Sequence, residues 1–120
     1  MRLDHLVILA SDLELSIQHY DAVLGALDFE KTRDWVWWHE GAGVAVELRA
    51  ADEPQSYKRY APGLNHFAFA AESLAELDLW AQKITAAGLE LPPHQSFGEA
   101  RAYFLPDPDG LRIELAYEPH

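Results

Sequence analysis

Cysteine is absent from the chain, which excludes a disulfide framework, a thiolate zinc site and a thiol nucleophile. Basic residues are scarce: nine Lys and Arg stand against 20 Asp and Glu, a net charge of −11. A field of that sign repels phosphate backbones and anionic lipid heads, so neither nucleic acid nor a membrane surface is an expected partner. Long apolar runs are missing too. Leu6-Val7-Ile8-Leu9-Ala10, the one such stretch near the N-terminus, is too short for a signal h-region, lacks its basic lead and falls well short of a membrane span. A cytoplasmic protein is expected. Against these absences, 120 residues with 49% hydrophobic and 24% charged side chains describe a globular chain of one-domain size. Such a chain can bury roughly two-thirds of its unfolded surface without disulfide or metal staples.

The chain reads as two passes through one pattern. Leu3 to Leu9 is a strand that stops at Ser11-Asp12, a helix-start signal. Leu13, Ile17, Tyr20, Leu24 and Leu27 then recur at helical spacing. Three strands are predicted next, over Phe29 to Arg33, Trp35 to His39 and Val44 to Arg49, with the tight-turn composition Glu40-Gly41-Ala42-Gly43 joining the last two. Residues 51–62 are polar, contain Pro54 and Pro62 and have no apolar period, as expected of a linker. The pattern restarts with a strand from Asn65 to Ala70. Ser73-Leu74-Ala75-Glu76 forms a capping box, and Leu77, Trp80, Ala81, Ile84 and Ala87 follow at helical spacing until Gly88 supplies a stop. Leu89 to Leu91, Ala100 to Leu105 and Leu111 to Tyr117 are the remaining predicted strands. The turn Pro106-Asp107-Pro108-Asp109-Gly110 joins the last two. The expected fold is α+β, a single domain over 1–120 made of two tandem β-α-β-β-β modules, 1–50 and 63–120, with linker 51–62. Their mixed sheets would curve around a cup for metal and substrate.

The repeat extends to residue identity. Leu3-Asp4-His5-Leu6-Val7 opens the first module and Leu64-Asn65-His66-Phe67-Ala68 the second. Val44-Ala45-Val46-Glu47-Leu48 closes the first and Leu111-Arg112-Ile113-Glu114-Leu115 the second. Strand side chains alternate between faces. Val44, Val46 and Leu48, like Leu111, Ile113 and Leu115, form apolar faces suited to a helix, which leaves Glu47 and Glu114 pointing the other way. His66 lies opposite the bulky Phe67 and Phe69, and His5 opposite Leu6 and Ile8. Two imidazoles and two carboxylates match a first-row divalent cation, balance its charge, and leave two of six positions open to water or substrate. Ion pairing of Arg49 with Glu47 and of Arg112 with Glu114 is the plainer alternative.

Among the other residues, His19, His94 and His120 read as solvated side chains. Trp35, Trp37 and His39, in the run Trp35-Val36-Trp37-Trp38-His39, are candidates to line an apolar substrate pocket, with Tyr103 as a fourth. Core packing competes with that role for at least two of the three Trp.

The paired modules, the His5 strand, the Gly63-Leu64-Asn65-His66-Phe67 restart and the Phe104-to-Glu114 close through Pro106-Asp107-Pro108-Asp109-Gly110 resemble the vicinal oxygen chelate superfamily. That superfamily contains glyoxalase I, fosfomycin and bleomycin resistance proteins and extradiol dioxygenases. The resemblance implies His5, Glu47, His66 and Glu114 as metal ligands in the glyoxalase I order, with Ni, Co, Mn, Zn or Fe as the ion. It further implies Glu114 or Glu47 as the catalytic base of an isomerase or lyase that forms an enediolate from a small substrate with vicinal oxygens. A homodimer is expected on the same ground. The strand after His5 departs from glyoxalase I, having no Arg or Asn for glutathione. The competing activities are an Fe(II) extradiol-type dioxygenase using His5, His66 and Glu114, and a metal-free protein that sequesters a drug-like molecule.

Overall fold

The computed structural model describes residues 1–119; the expectation for His120 lies outside the described residues. The chain divides into two units, Met1–Ser56 and Tyr57–His120, each of which is a helix on one face of a four-stranded sheet.

In the first unit the order is β1 (His5–Ala10), α1 (Leu13–Ala26), β2 (Glu30–Arg33), β3 (Val36–His39) and β4 (Val44–Ala50). The sheet runs β1-β4-β3-β2, with β1 and β4 parallel and the other neighbours antiparallel. Helix α1 begins where Asp12 accepts a hydrogen bond from the Leu15 amide at 3.2 Å, satisfying one of the donors that a helix start leaves open. It ends where Asp28 turns to a φ of 64°, a left-handed conformation that Asp tolerates better than most residues. The helix packs on β4. Tyr20, Val23 and Leu24 are buried with Ile8, Trp37, Val46 and Leu48, each aliphatic side chain contributing about 1.5–3 kcal/mol on leaving water. His19 corrects the sequence reading, because it is buried with its ring edge-on to Tyr20 at 5.5 Å. The buried stripe of α1 takes in 16, 19, 20, 23 and 24, so position 19 faces inward.

The second unit repeats the order as β5 (His66–Ala70), α2 (Leu74–Ala86), β6 (Gln95–Phe97), β7 (Ala100–Pro106) and β8 (Arg112–Tyr117). Its sheet runs β5-β8-β7-β6, again with only the first pair parallel. Ser73 caps α2 by accepting from the Glu76 amide at 3.0 Å, while the Glu76 carboxylate accepts from the Glu72 amide, one residue before the usual capping-box donor. Leu77, Trp80 and Ile84 are buried with Leu105, Ile113 and Leu115. The strand predicted over Leu89 to Leu91 is not formed; β6 lies at Gln95–Phe97 instead. Pro92 and Pro93 have no amide hydrogen to give a ladder. The segment that follows them pairs with β7 across a turn in which Gly98 has a φ of 62°. Among the described residues no helix is long and apolar enough to cross a membrane.

Candidate functional site

Strand register sets which side chains share a face. In the first unit His5 lies opposite Ala45 and Val7 opposite Glu47. In the second, His66 lies opposite Arg112 and Ala68 opposite Glu114. Each Glu therefore stands two residues beyond the partner of its His, on the face away from the helix. The sequence separation nonetheless differs, 42 residues from His5 to Glu47 and 48 from His66 to Glu114. Most of the excess lies between helix and next strand, where 87–94 replaces 27–29.

The second unit brings its pair together. His66 Nε2 lies 3.2 Å from Glu114 Oε1, with the two side chains 37% and 19% exposed. On its other side, His66 Nδ1 lies 2.7 Å from Asn65 Oδ1. The Asn65 amide is oriented by its own donor, since Nδ2 gives a hydrogen bond to the Arg59 carbonyl at 3.0 Å, leaving Oδ1 as the group that meets the imidazole. Nδ1 is thus a donor to Asn65; with a second proton on Nε2 the contact with Glu114 is an ion pair, and without one Nε2 turns a lone pair toward a carboxylate oxygen. Two acceptors at that distance repel unless a proton or a cation is shared between them. Adjacent donors bound at about 2.1 Å to one ion in a cis arrangement sit about 3 Å apart, so the pair fits a divalent cation. Tyr57 anchors the strand entry by donating to the Leu64 and Asn65 carbonyls at 2.6 and 3.0 Å. At the other end Asp107 Oδ1 accepts from the Asp109 and Leu111 amides at 2.9 and 3.0 Å, fixing the start of β8.

The first unit shows the same device with a stronger acceptor. His5 Nδ1 lies 2.8 Å from Asp4 Oδ2; a carboxylate only accepts, so Nδ1 donates and Nε2 is again the available donor to a metal. The His5 ring and, after it, the Arg2 guanidinium at 3.0 Å hold the exposed Asp4 carboxyl below its ordinary value. Glu47 is turned differently from Glu114, its Oε1 accepting from Arg49 at 3.2 Å. The expected ion pair therefore forms at Glu47. At Glu114 the carboxylate takes His66 in place of Arg112. Among the described residues no three His, Asp or Glu side chains converge closely enough to hold an ion, and each unit carries one imidazole and one carboxylate on the sheet face away from its helix.

The predicted pocket residues are dispersed. Trp37 is fully buried beneath α1 and donates its indole N–H to Asp21 at 2.9 Å; it belongs to the core, on the face opposite His5. His39 shares that opposite parity, and its Nδ1 accepts from the Ala42 amide at 2.9 Å, closing the β3–β4 turn. Trp35 is exposed at the β2–β3 turn with a φ of 70°. Tyr103 pairs with Leu115 on the helix side of the second sheet. There it lines a groove of about 610 Å³ with Ala81, Thr85, Leu91, Pro92 and His94, its ring edge-on to His94 at 5.4 Å. The aromatics that do share the ligand faces are Trp38, opposite Ala45, and Phe104, opposite Glu114. Counting outward from the Glu40–Gly43 turn would have selected Trp38 by parity, and the Pro106–Gly110 turn would have selected Phe104.

A family model described as "Glyoxalase/Bleomycin resistance protein/Dioxygenase superfamily" matches residues 2–115. The chain is 31% identical over 122 residues to "Uncharacterized protein YqjT" of Bacillus subtilis, covering 92% of this chain and 94% of that one. Among solved structures, a putative glyoxalase from Bacillus halodurans superposes with a TM-score of 0.76 at 26% identity, over 97% of this chain and 95% of the other. The fosfomycin resistance protein FosX of Listeria monocytogenes superposes with a TM-score of 0.70 at 22% identity, over 99% and 94%.

Proposed function

The chain belongs to the glyoxalase/bleomycin resistance/dioxygenase superfamily, and from that premise we propose that it is a divalent-metal-dependent isomerase or lyase acting on a small substrate with vicinal oxygens. The observation that carries the reading is the 3.2 Å approach of His66 Nε2 to Glu114 Oε1 with Nδ1 engaged on the far side. The pair supports a cation site because imidazole nitrogen and carboxylate oxygen are both ligands to first-row divalent ions. His5, Glu47, His66 and Glu114 form the proposed ligand set, one imidazole and one carboxylate from each unit. A divalent ion supplies Lewis-acid stabilisation for negative charge developing on neighbouring substrate oxygens.

The chain's own residues carry the proton. A carboxylate takes the proton from the hydroxyl-bearing carbon beside the substrate carbonyl and returns it to the former carbonyl carbon, while the hydroxyl proton passes to the neighbouring oxygen, so the shift is balanced without a redox partner. Glu114 is assigned this role, since Asp107 secures the start of its strand through two backbone amides. His5 and His66 bind and orient, each with its tautomer set by the preceding side chain. Trp38 and Phe104 supply apolar walls on the same faces. Val7 and Leu9, on the face of the first sheet that bears His5, are exposed, which supports a homodimer that covers them.

The test is turnover of the metal-reconstituted protein on α-hydroxy ketones, thiohemiacetals and catechols, with oxygen consumption followed in parallel. Isomerisation without oxygen uptake is expected. Oxygen-dependent ring cleavage with iron would replace the reading with a dioxygenase, and tight binding without turnover would replace it with a sequestering protein.

A further inference from the structure

We propose that Arg112 recognises a carboxylate on the substrate, separate from the two vicinal oxygens, so that the substrate class is an anionic one; the inference rests on the metal-site reading above. Arg112 is the register partner of His66 and so stands on the ligand face of the second sheet. Its guanidinium lies over the Phe104 ring, with Cζ 4.8 Å from the centroid. Its one hydrogen bond among the described residues is long, Nη2 to Asn65 Oδ1 at 3.4 Å, and its Nε is buried with no partner.

The chain has a net charge of −11, and two other strand arginines are paired, Arg49 with Glu47 at 3.2 Å and Arg101 with Asp78 at 2.8 Å. Glu114, two residues along the same strand, engages His66 and leaves Arg112 without a carboxylate. A guanidinium seated over an aromatic ring and under-supplied with acceptors is a preorganised donor for an oxyanion. A single positive charge in a strongly acidic chain favours a monoanion over a phosphate dianion, which the surrounding field repels more strongly. The first unit has Ala45 at the corresponding position, so the anion selectivity belongs to one side only. If Arg112 merely filled space over Phe104, a side chain of similar length without charge would serve equally.

The experiment compares two catechols of the same shape, 3,4-dihydroxybenzoate and the neutral 3,4-dihydroxybenzamide, by calorimetric titration of the full chain reconstituted with Ni(II). The wild-type protein should bind the carboxylate at least tenfold more tightly, with the advantage shrinking as salt is raised. Arg112→Met should abolish the preference while leaving the amide affinity and nickel content within about twofold, and Arg112→Lys should keep part of it. Equal wild-type affinity for the two ligands, or a preference that survives in Arg112→Met, overturns the assignment. Should Arg112→Met fail to fold, the wild-type comparison and the Arg112→Lys variant decide it. If the amide binds and the carboxylate adds nothing, only the Arg112 assignment falls; if no nickel is retained and neither catechol binds, the metal reading falls and takes this inference with it.

Discussion

Replacing Asn65 by Leu removes the acceptor that holds His66 Nδ1–H at 2.7 Å and the donor that meets the Arg59 carbonyl at 3.0 Å, without touching a proposed ligand. The ring then loses both its rotational anchor and its preference for the tautomer whose lone pair lies on Nε2. Groups that orient a metal-binding imidazole typically account for about 10–100-fold in affinity, equivalent to about 1.4–2.8 kcal/mol. The lost hydrogen bonds, the long one from Arg112 Nη2 at 3.4 Å included, are three, worth about 1 kcal/mol each in stability, too little to unfold a domain of ordinary stability. The assay is metal affinity by competition with a chromophoric chelator, beside the ¹⁵N shifts of the His66 ring in metal-free protein, which report the tautomer directly. Asn65→Leu should weaken metal binding by 10-fold or more and turn the His66 nitrogens into a tautomer mixture. Asn65→Asp restores an acceptor and gives it the charge that Asp4 has beside His5, so affinity should return to the wild-type value or exceed it. A folded Asn65→Leu protein with unchanged affinity and an unchanged tautomer would show that Asn65 does not orient the His66 ring.

Glu114→Gln should retain metal and lose turnover by about 10²–10⁴-fold, the usual cost of a general base, whereas His66→Ala should lose metal and turnover together; parallel metal analysis and kinetics separate the two. Asp107→Ala strips two backbone amides of a charged acceptor, and at about 1.5–3 kcal/mol each, less than additive within one turn, it should cost about 3 kcal/mol in urea denaturation, with Asp107→Asn recovering about half. Light scattering at micromolar concentration should report twice the mass of the chain, and a monomer there would remove the proposed dimer.

The face shared by His and Glu in each unit was legible in the sequence because two regularities coincide. Strand alternation places Glu47 opposite Val46 and Leu48, and the duplication repeats that placement at Glu114 opposite Ile113 and Leu115. Both are properties of the chain's period and survive any loop length. The pocket residues were read from aromatic composition, whereas the face taken by Trp37, His39 and Tyr103 follows from the hairpin registers counted from their turns. The register also shifts between Lys31 and Arg33. The strand expected at Leu89 to Leu91 failed for a local reason, the missing amide hydrogens of Pro92 and Pro93 displacing pairing to Gln95–Phe97. The contacts of Asp4 with His5 and of Asn65 with His66 needed side-chain rotamers. Sequence neighbours on a strand start out on opposite faces, so no pattern of residue types announces that they meet.

Metal content measured on the full chain tests whether His5, Glu47, His66 and Glu114 hold a divalent cation. Protein stripped with a chelator, reconstituted with Ni(II), Co(II), Mn(II) or Zn(II) and freed of excess by gel filtration should retain about one ion per proposed ligand set of two His and two Glu. His5→Ala and His66→Ala should each lose the ion. Retention of no divalent ion by folded wild-type protein, or full retention in both His variants, contradicts the account.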